Sequence, residues 1–511
     1  MNETVHAVGL GWLDGIVVGF YISLVLGIGW YYGRRQKSTD EYFVGNRGMN
    51  SVLVGVSMYA TLFSTITYLS SPGEYLGKGP VILSGLLAIP FVYLLVGYWI
   101  IPVYMQRQVT SAYELLEDKL GIQVRLLAAS LFVLIRLSWM SLLIYLPSTA
   151  ILEMLGFDRT YLPWVILTTG GVAIIYASIG GLRAVVITDL FQFILLFGGA
   201  TLVIATVTID LGGFHWFPTS WQSHWDSQPI FSINPNVRVT VFGTVLTGIL
   251  WWMCTAGADQ TAIQRFMSTG SPSAARRAFL INSLSGASVT IILALVGFSL
   301  LAYYQLHPEF LPEGQNISEA ADKLFPRYLA FHLPRGIGGL VLAALFAAAM
   351  SSVDSGVNSI SAVVLTDFVD RFRGTPLTER QHILVARCLA FGIGVIVVLT
   401  GSFLMKHVPG NFVEISNRIA NLLVTPLFLV FFMAIFVPFA TSTGAVASMI
   451  SSSAMAIVVA YWKPLMNYLD VEPVFWKEIS FQWIQPCALL SGVVVGCAVS
   501  LLERAIRKRR D

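Results

Sequence analysis

An all-α integral membrane protein with about thirteen transmembrane helices is the fold class that this sequence predicts. Three observations carry it. The 511 residues are 56% hydrophobic and 12% charged, with a mean hydropathy of +0.73, whereas soluble domains run near ~25% charged. Apolar windows of bilayer length, about 20 residues each, recur along the chain. The basic residues gather in alternate connections between those windows, which is how topology rather than a ligand distributes them.

The windows fall at 14–32, 51–71, 80–105, 126–153, 161–179, 187–209, 238–256, 280–303, 336–366, 384–405, 413–437, 443–462 and 482–502, so residues 1–511 read as one polytopic unit. The start, Met1-Asn2-Glu3-Thr4, lacks the basic n-region of a signal peptide, and the first window is therefore expected to be a retained helix. One set of connections carries Arg34, Arg35, Lys37 and Arg47; Arg107, Lys119 and Arg125; Arg183; Arg265, Arg276 and Arg277; and Arg371, Arg373, Arg380 and Arg387. The tail Arg504, Arg507, Lys508, Arg509, Arg510 falls on the same side. The positive-inside rule makes that side cytoplasmic, with the N-terminus outside and the C-terminus inside an inner or plasma membrane. The tail also has the form of a lipid-binding patch, but topology alone explains it.

Two outer segments, around 215–237 and 307–335, are longer. The first carries His215, Trp216, Trp221, His224 and Trp225, the amphipathic aromatics of an interfacial cap. A net charge of +3 with no basic face gives no case for nucleic acid. Cys254, Cys388, Cys487 and Cys497 form no CxxC pair, and the histidines show no zinc spacing. Gly73-Glu74-Tyr75-Leu76-Gly77-Lys78 is not a Walker A motif, so no ATP is expected and transport would follow an ion gradient or run downhill. Asn316-Ile317-Ser318 has the form of a glycosylation sequon, which matters only in a eukaryotic secretory route.

Polar residues inside the windows point to chemistry. In 343–355 a hydrophobic helix breaks into Ser351, Ser352, Asp354 and Ser355. Ser351, Asp354 and Ser355 share one helical face, with Ala348 and Ser352 beside it. A carboxylate in hydrocarbon costs about 2.5–3.5 kcal/mol on insertion scales, so this face must look at protein, water or an ion. Clustered oxygens suit a small hard cation, while a seam of small residues would serve helix packing but has no use for Asp354.

The second window is dense in hydroxyls, among them Ser64, Thr65 and Thr67, and Pro72-Gly73 is expected to end it abruptly. A helix broken near the midplane frees carbonyls for an ion and amides for a substrate; hydroxyl bonding between helices is the alternative. Asp189 is placed either to cap the sixth span or to reach the serine face. Arg136 sits well inside its own span, either to bind a substrate carboxylate or to be neutralised by a protein acid. Glu153 lies too many turns away for that, leaving a substrate, water, or neighbours such as Ser138 and Thr67.

The stretch 175–185 with Thr188-Asp189, the stretch 259–268 with Ala275-Arg276-Arg277, and the helix from Ala348 to Asp367 together resemble the sodium:solute symporter family, over nearly the whole chain. The resemblance implies a leucine-transporter-type 5+5 inverted repeat: 51–209 repeated upside-down as 238–437, an extra helix at 14–32, and two more within 443–502. It implies a sodium site on the carbonyls of Ala60, Phe63 and Ala348 and the hydroxyls of Ser351 and Ser352. A second sodium site, present in some members, would fall on Asp189, Ser351, Asp354 and Ser355. Asp354 replaces a serine there, so two carboxylates would share one ion, or one would stay protonated.

Thr255 stands where the sugar-transporting branch has a tyrosine gate. Asp259-Gln260 and the helix carrying Arg136 and Leu146-Pro147 look more like the bacterial branch with acidic-sugar transporters, although Arg136 stands about one turn from that branch's arginine. The expected function is sodium-coupled import of a small polar solute (a sugar, sugar acid or other organic anion) by alternating access, with Na+ as the coupling ion, one or two per cycle. Ser64, Thr65, Thr67 and Arg136 are expected on the substrate side. A membrane-embedded sensor is the rival, although no signalling module follows Leu502. An intramembrane enzyme would need a nucleophile paired with a base, and no histidine stands in the core.

Overall fold

The computed structural model describes residues 12–107, 109–154, 157–226, 229–333, 336–375, 377–403, 412–470 and 478–509; the side chains of 150, 153–154, 412–421 and 423 fall outside that description. Met1–Thr4, Arg335, Arg510 and the side chain of Glu153, all invoked above, therefore lie outside the described residues.

Regular structure among the described residues is helical. The principal elements are α1 (Trp12–Gly33), α2 (Ser51–Leu62), α3 (Thr65–Lys78), α4 (Pro80–Arg107, a run of short helical segments), α5 (Ile122–Met154), α6 (Leu162–Asp210) and α7 (Val241–Ala258). They continue with α8 (Gln260–Met267), α9 (Pro272–Leu306), α10 (Ile337–Val363), α11 (Glu379–Phe403), α12 (Phe412–Phe436), α13 (Ser442–Ala460) and α14 (Ile484–Lys508).

Among the described residues ten helices are long and apolar enough to cross a membrane, or eleven if the bent pair α2 and α3 is one span. Two features relate that number to the thirteen windows. The first is α6, whose 49 residues would run to roughly 74 Å at 1.5 Å per residue, more than twice a ~30 Å hydrocarbon core. It breaks at Gly181, whose φ of 58° and ψ of −165° are non-helical, so the windows 161–179 and 187–209 are its two arms. The second is α12, whose described apolar part is Val424–Phe436.

The break in the second window is not where proline suggests. Phe63 is extended, α2 and α3 meet at a 72° bend, and Pro72 continues inside α3. A second break separates α7 from α8 at Asp259, which is extended and whose side chain caps α8 through the Thr261 amide at 2.8 Å. Each half of the chain thus contains a helix interrupted in mid-course.

Helix α10 is the axis of the molecule. Its apolar window is 83% buried, and it packs along α6, α5, α1 and α11. Close approach makes this possible: a Cβ on Gly339 of α10 would stand 2.5 Å from the Asp14 Cα of α1. The Trp-rich segment around 215–237 is tied to helix ends. Trp225 Nε1 donates to the Leu76 carbonyl at 3.0 Å at the end of α3, and Trp216 Nε1 donates to Thr208 Oγ1 at 2.9 Å, while Trp221 stays exposed. Asn316 is the N-cap of a short helix, Ile317–Phe331, in a reciprocal box with Glu319.

Candidate functional site

Breaking a helix strands its last carbonyls, because no later amide lies in register to reach them. At the end of α2 the Phe63 amide still donates to Tyr59 at 2.8 Å, which leaves the carbonyls from Ala60 onward for other partners. Ser64 opens α3 as its N-cap, accepting from the Thr67 amide at 3.1 Å, with the two hydroxyl oxygens 2.9 Å apart.

Helix α10 faces this break with its serines. Ser351 Oγ lies 2.9 Å from the Ala60 carbonyl and 3.2 Å from that of Ala348. Ser352 Oγ lies 3.4 Å from the Thr61 carbonyl, one residue along from Ala60. All are buried. Ala60, Ala348, Ser351 and Ser352 of the expected sodium set are therefore brought to one place, and Phe63 stands at the break beside them. These oxygens are neutral, which suits a monovalent cation that must be let go in every cycle.

One turn further along α10 the chemistry changes from neutral to charged. Arg265 of α8 is fully buried there. Its Nε donates to Ser57 at 3.0 Å, and its second terminal nitrogen meets Thr61, Ser355 (2.6 Å) and Asp189 (3.3 Å). Ser57 and Thr61 in turn donate to Asp189 Oδ2, at 2.6 and 3.3 Å. Asp354 turns instead toward α6, where the Tyr176 hydroxyl donates to its Oδ2 and Gln192 supports Tyr176 at 3.3 Å. The second oxygens, Asp189 Oδ1 and Asp354 Oδ1, are buried without a partner.

Two expectations change here. Asp189 does not cap a helix; it lies eight residues beyond the Gly181 break, and its side chain crosses to α2 and α8. Arg265 is not a loop charge, nor is Arg125, which is buried in α5 against Asp367 (2.6 Å) and Glu117 (2.7 Å). Of the four residues of the second sodium set, the structure gathers Asp189 and Ser355 around a guanidinium, turns Asp354 to Tyr176, and directs Ser351 to the neutral cage. The signal for Arg265 was a cationic residue following five uncharged ones within 259–268, in a segment short enough to pass for a loop.

On the other side of the α2–α3 break lies a cavity of about 60 Å3, lined among others by Leu62, Phe132, Arg136, Trp139, Trp251 and Asp259. Arg136 is mostly buried, and its terminal nitrogen stands 3.4 Å from Asp259 Oδ2, while its Nε has no partner. Neither Ser138 nor Thr67 serves it: Ser138 bonds the Leu134 carbonyl at 3.0 Å, and Thr67 belongs to the Ser64 cap. Asp259, the protein acid the sequence reading did not single out, was legible as a carboxylate at a helix break. Of the other expected substrate residues, Ser64 and Thr67 pair with each other, and Thr65 is buried with its hydroxyl unpartnered.

A family model described as the sodium:solute symporter family matches residues 42–452. The sodium/sialic acid symporter SiaT of Proteus mirabilis is 29% identical over 89% of this chain and 91% of its own length. The sodium-coupled monocarboxylate transporter 1 of Xenopus laevis is also 29% identical, over 86% of this chain and 70% of its own. A solved structure of a Na+-coupled sialic acid symporter, substrate-bound and outward-open, is 27% identical and superimposes with a TM-score of 0.79, covering 96% of this chain and 98% of that one. The fold is thus the all-α inverted-repeat transporter class expected from the sequence. The chain belongs to the sodium:solute symporter family, and it is a sodium-coupled symporter of a small solute rather than an enzyme.

Proposed function

We propose that this symporter imports a small organic anion, with one Na+ held by the carbonyls of Ala60, Phe63 and Ala348 and the hydroxyls of Ser351 and Ser352. The observation that carries the anion is Arg136: a guanidinium buried beside a cavity, with Nε unpartnered and its one acidic neighbour at 3.4 Å. A buried charge left so loosely paired is costly, and a carboxylate in the cavity would complete it with a planar two-bond fork.

The α2–α3 break gives the coupling. Ala60 and Thr61 turn their carbonyls to the serines of α10, while Leu62 walls the cavity. A sodium ion that fixes the break therefore also fixes a wall of the substrate site. Ser64, Thr65 and Thr67 act on this reading by shaping the start of α3.

The two repeats are read as 51–209 and 238–437, each opening with its broken helix, with 14–32 added before and two helices within 443–502 after. The protein would lie across the lipid bilayer of an inner or plasma membrane, N-terminus outside and C-terminus cytoplasmic, with neither ATP nor nucleic acid as a partner. The exposed Arg504, Arg507, Lys508 and Arg509 at the end of α14 support that orientation.

Sodium-driven uptake into proteoliposomes by Arg136→Lys tests the anion. An ammonium cannot make the fork, so transport of a carboxylate should fall at least tenfold. Uptake of an uncharged sugar by wild type that survives in Arg136→Lys would defeat the reading.

A further inference from the structure

Two of the substrate classes named among the relatives are matched equally well: a sialic acid symporter and a monocarboxylate transporter are each 29% identical to this chain. The cavity itself has to discriminate. Resting on the anion reading above, we propose that the substrate is a short aliphatic monocarboxylate, its carboxylate on Arg136 and its apolar body enclosed by Phe132, Trp139 and Trp251, and not a polyhydroxylated sugar acid.

The first argument is the chemistry of the wall. Arg136, Asp259 and Thr255 are its polar residues, and everything else that lines it is aromatic or aliphatic. Arg136 and Asp259 provide for one charged end, and the buried Thr255 hydroxyl, which has no partner, provides for one further polar atom. A sugar acid brings a row of hydroxyls, and each would lose water without gaining a hydrogen bond against indole and phenyl faces. The hydroxyl-rich start of α3 does not help, because Ser64 and Thr67 already bond each other and the α3 amides.

The second argument is room. At about 60 Å3 the cavity is well below the roughly 150 Å3 of an engineered apolar cavity that takes up benzene. The walled part therefore fits a carboxylate and a few carbons; because the cavity is open on one side, the chemistry of its wall, rather than this volume, is what excludes a longer polyhydroxylated body.

The test is sodium-driven uptake of labelled propionate into proteoliposomes holding the full chain, with sialic acid, glucuronate and glucose as competitors and as labelled substrates in their own right. The expected result is sodium-dependent propionate uptake that a hundredfold excess of the sugar acids or glucose leaves unchanged. Trp251→Ala should raise the KM for propionate about tenfold and admit octanoate, with Trp251→Phe between the two. These variants separate a widened cavity from a misfolded protein, which would lose transport of every acid alike. Uptake of sialic acid or glucuronate in place of propionate, or of all the acids equally, overturns the substrate class and leaves the anion reading standing. Uptake of glucose that no acid inhibits overturns both. No uptake of propionate by a preparation that binds sodium also overturns the class.

Discussion

Ser351 and Ser352 differ in how tightly they hold the α2 break, and that difference can be measured. Ser351 Oγ stands within 3.2 Å of two carbonyls, from two different helices, whereas Ser352 Oγ stands 3.4 Å from one. A hydroxyl lost from such a cage removes about 1 kcal/mol or somewhat more, close to a tenfold change in an equilibrium constant. Ser351→Ala should therefore raise the sodium concentration for half-maximal uptake by roughly tenfold, and Ser352→Ala by somewhat less. Sodium titration of uptake in proteoliposomes reads both. Unchanged sodium dependence in both variants would reduce these serines to a packing seam. At this scale the sequence was informative because a carboxylate and three hydroxyls within one buried helix have few uses. It was less informative about Arg265, since an arginine in a short helix looks the same in sequence whether it faces water or, as here, is fully buried.

At the scale of elements, the connection expected between the windows 161–179 and 187–209 is a kink within one helix, and the break expected in the second window lies elsewhere. Gly180-Gly181 marks the turn between the arms of α6, and Gly181 adopts φ 58°, ψ −165°, a region essentially restricted to glycine. A Cβ there would also stand 2.7 Å from the Tyr42 carbonyl. Gly181→Ala should destabilise the folded protein by about 1–3 kcal/mol, seen as a lower thermal midpoint in detergent, whereas Gly171→Ala, whose Cβ would meet nothing within 4 Å, should be neutral. Equal midpoints for the two variants would mean that the kink is unstrained.

Proline misled the other reading. Pro72 removes an amide from α3, yet the helix runs through it, because α9 packs closely there: a Cβ on Gly297 would meet the Pro72 carbonyl at 2.6 Å. The actual break, at Phe63-Ser64, is fixed by the Ser64 cap and by carbonyl partners almost three hundred residues away in sequence. Contacts of that range leave no local trace. The helix spans themselves were legible from hydropathy because the bilayer imposes a length on each; the pairing of Arg136 with Asp259 was not, since it joins two separate helices.

For the molecule as a whole, the charged cluster beside the serine–carbonyl cage ties the two halves of the chain together. Asp189 comes from the first half, on α6, and Arg265, Asp354 and Ser355 from the second, on α8 and α10. Two carboxylates stand with one guanidinium, all buried, and each carboxylate keeps one oxygen unpartnered. Removing Asp354 leaves the Asp189–Arg265 ion pair at 3.3 Å in place, and removing Asp189 leaves Asp354, which faces Tyr176, as the remaining buried carboxylate. Removing both leaves a lone buried guanidinium, a loss on the order of 3–5 kcal/mol. Asp189→Asn and Asp354→Asn should therefore each lower thermal stability modestly and the double variant severely, by more than the sum of the two. Adding Arg265→Gln to the double variant should restore most of the loss, because no charge is then buried. A shared sodium ion held by both carboxylates gives the opposite pattern: either single change would already forfeit the ion, and the second would add little. The double-mutant cycle, run on thermal midpoints in sodium and again in choline, separates the two: a coupling that persists in choline assigns the neutralising role to Arg265, and one confined to sodium assigns it to a second ion.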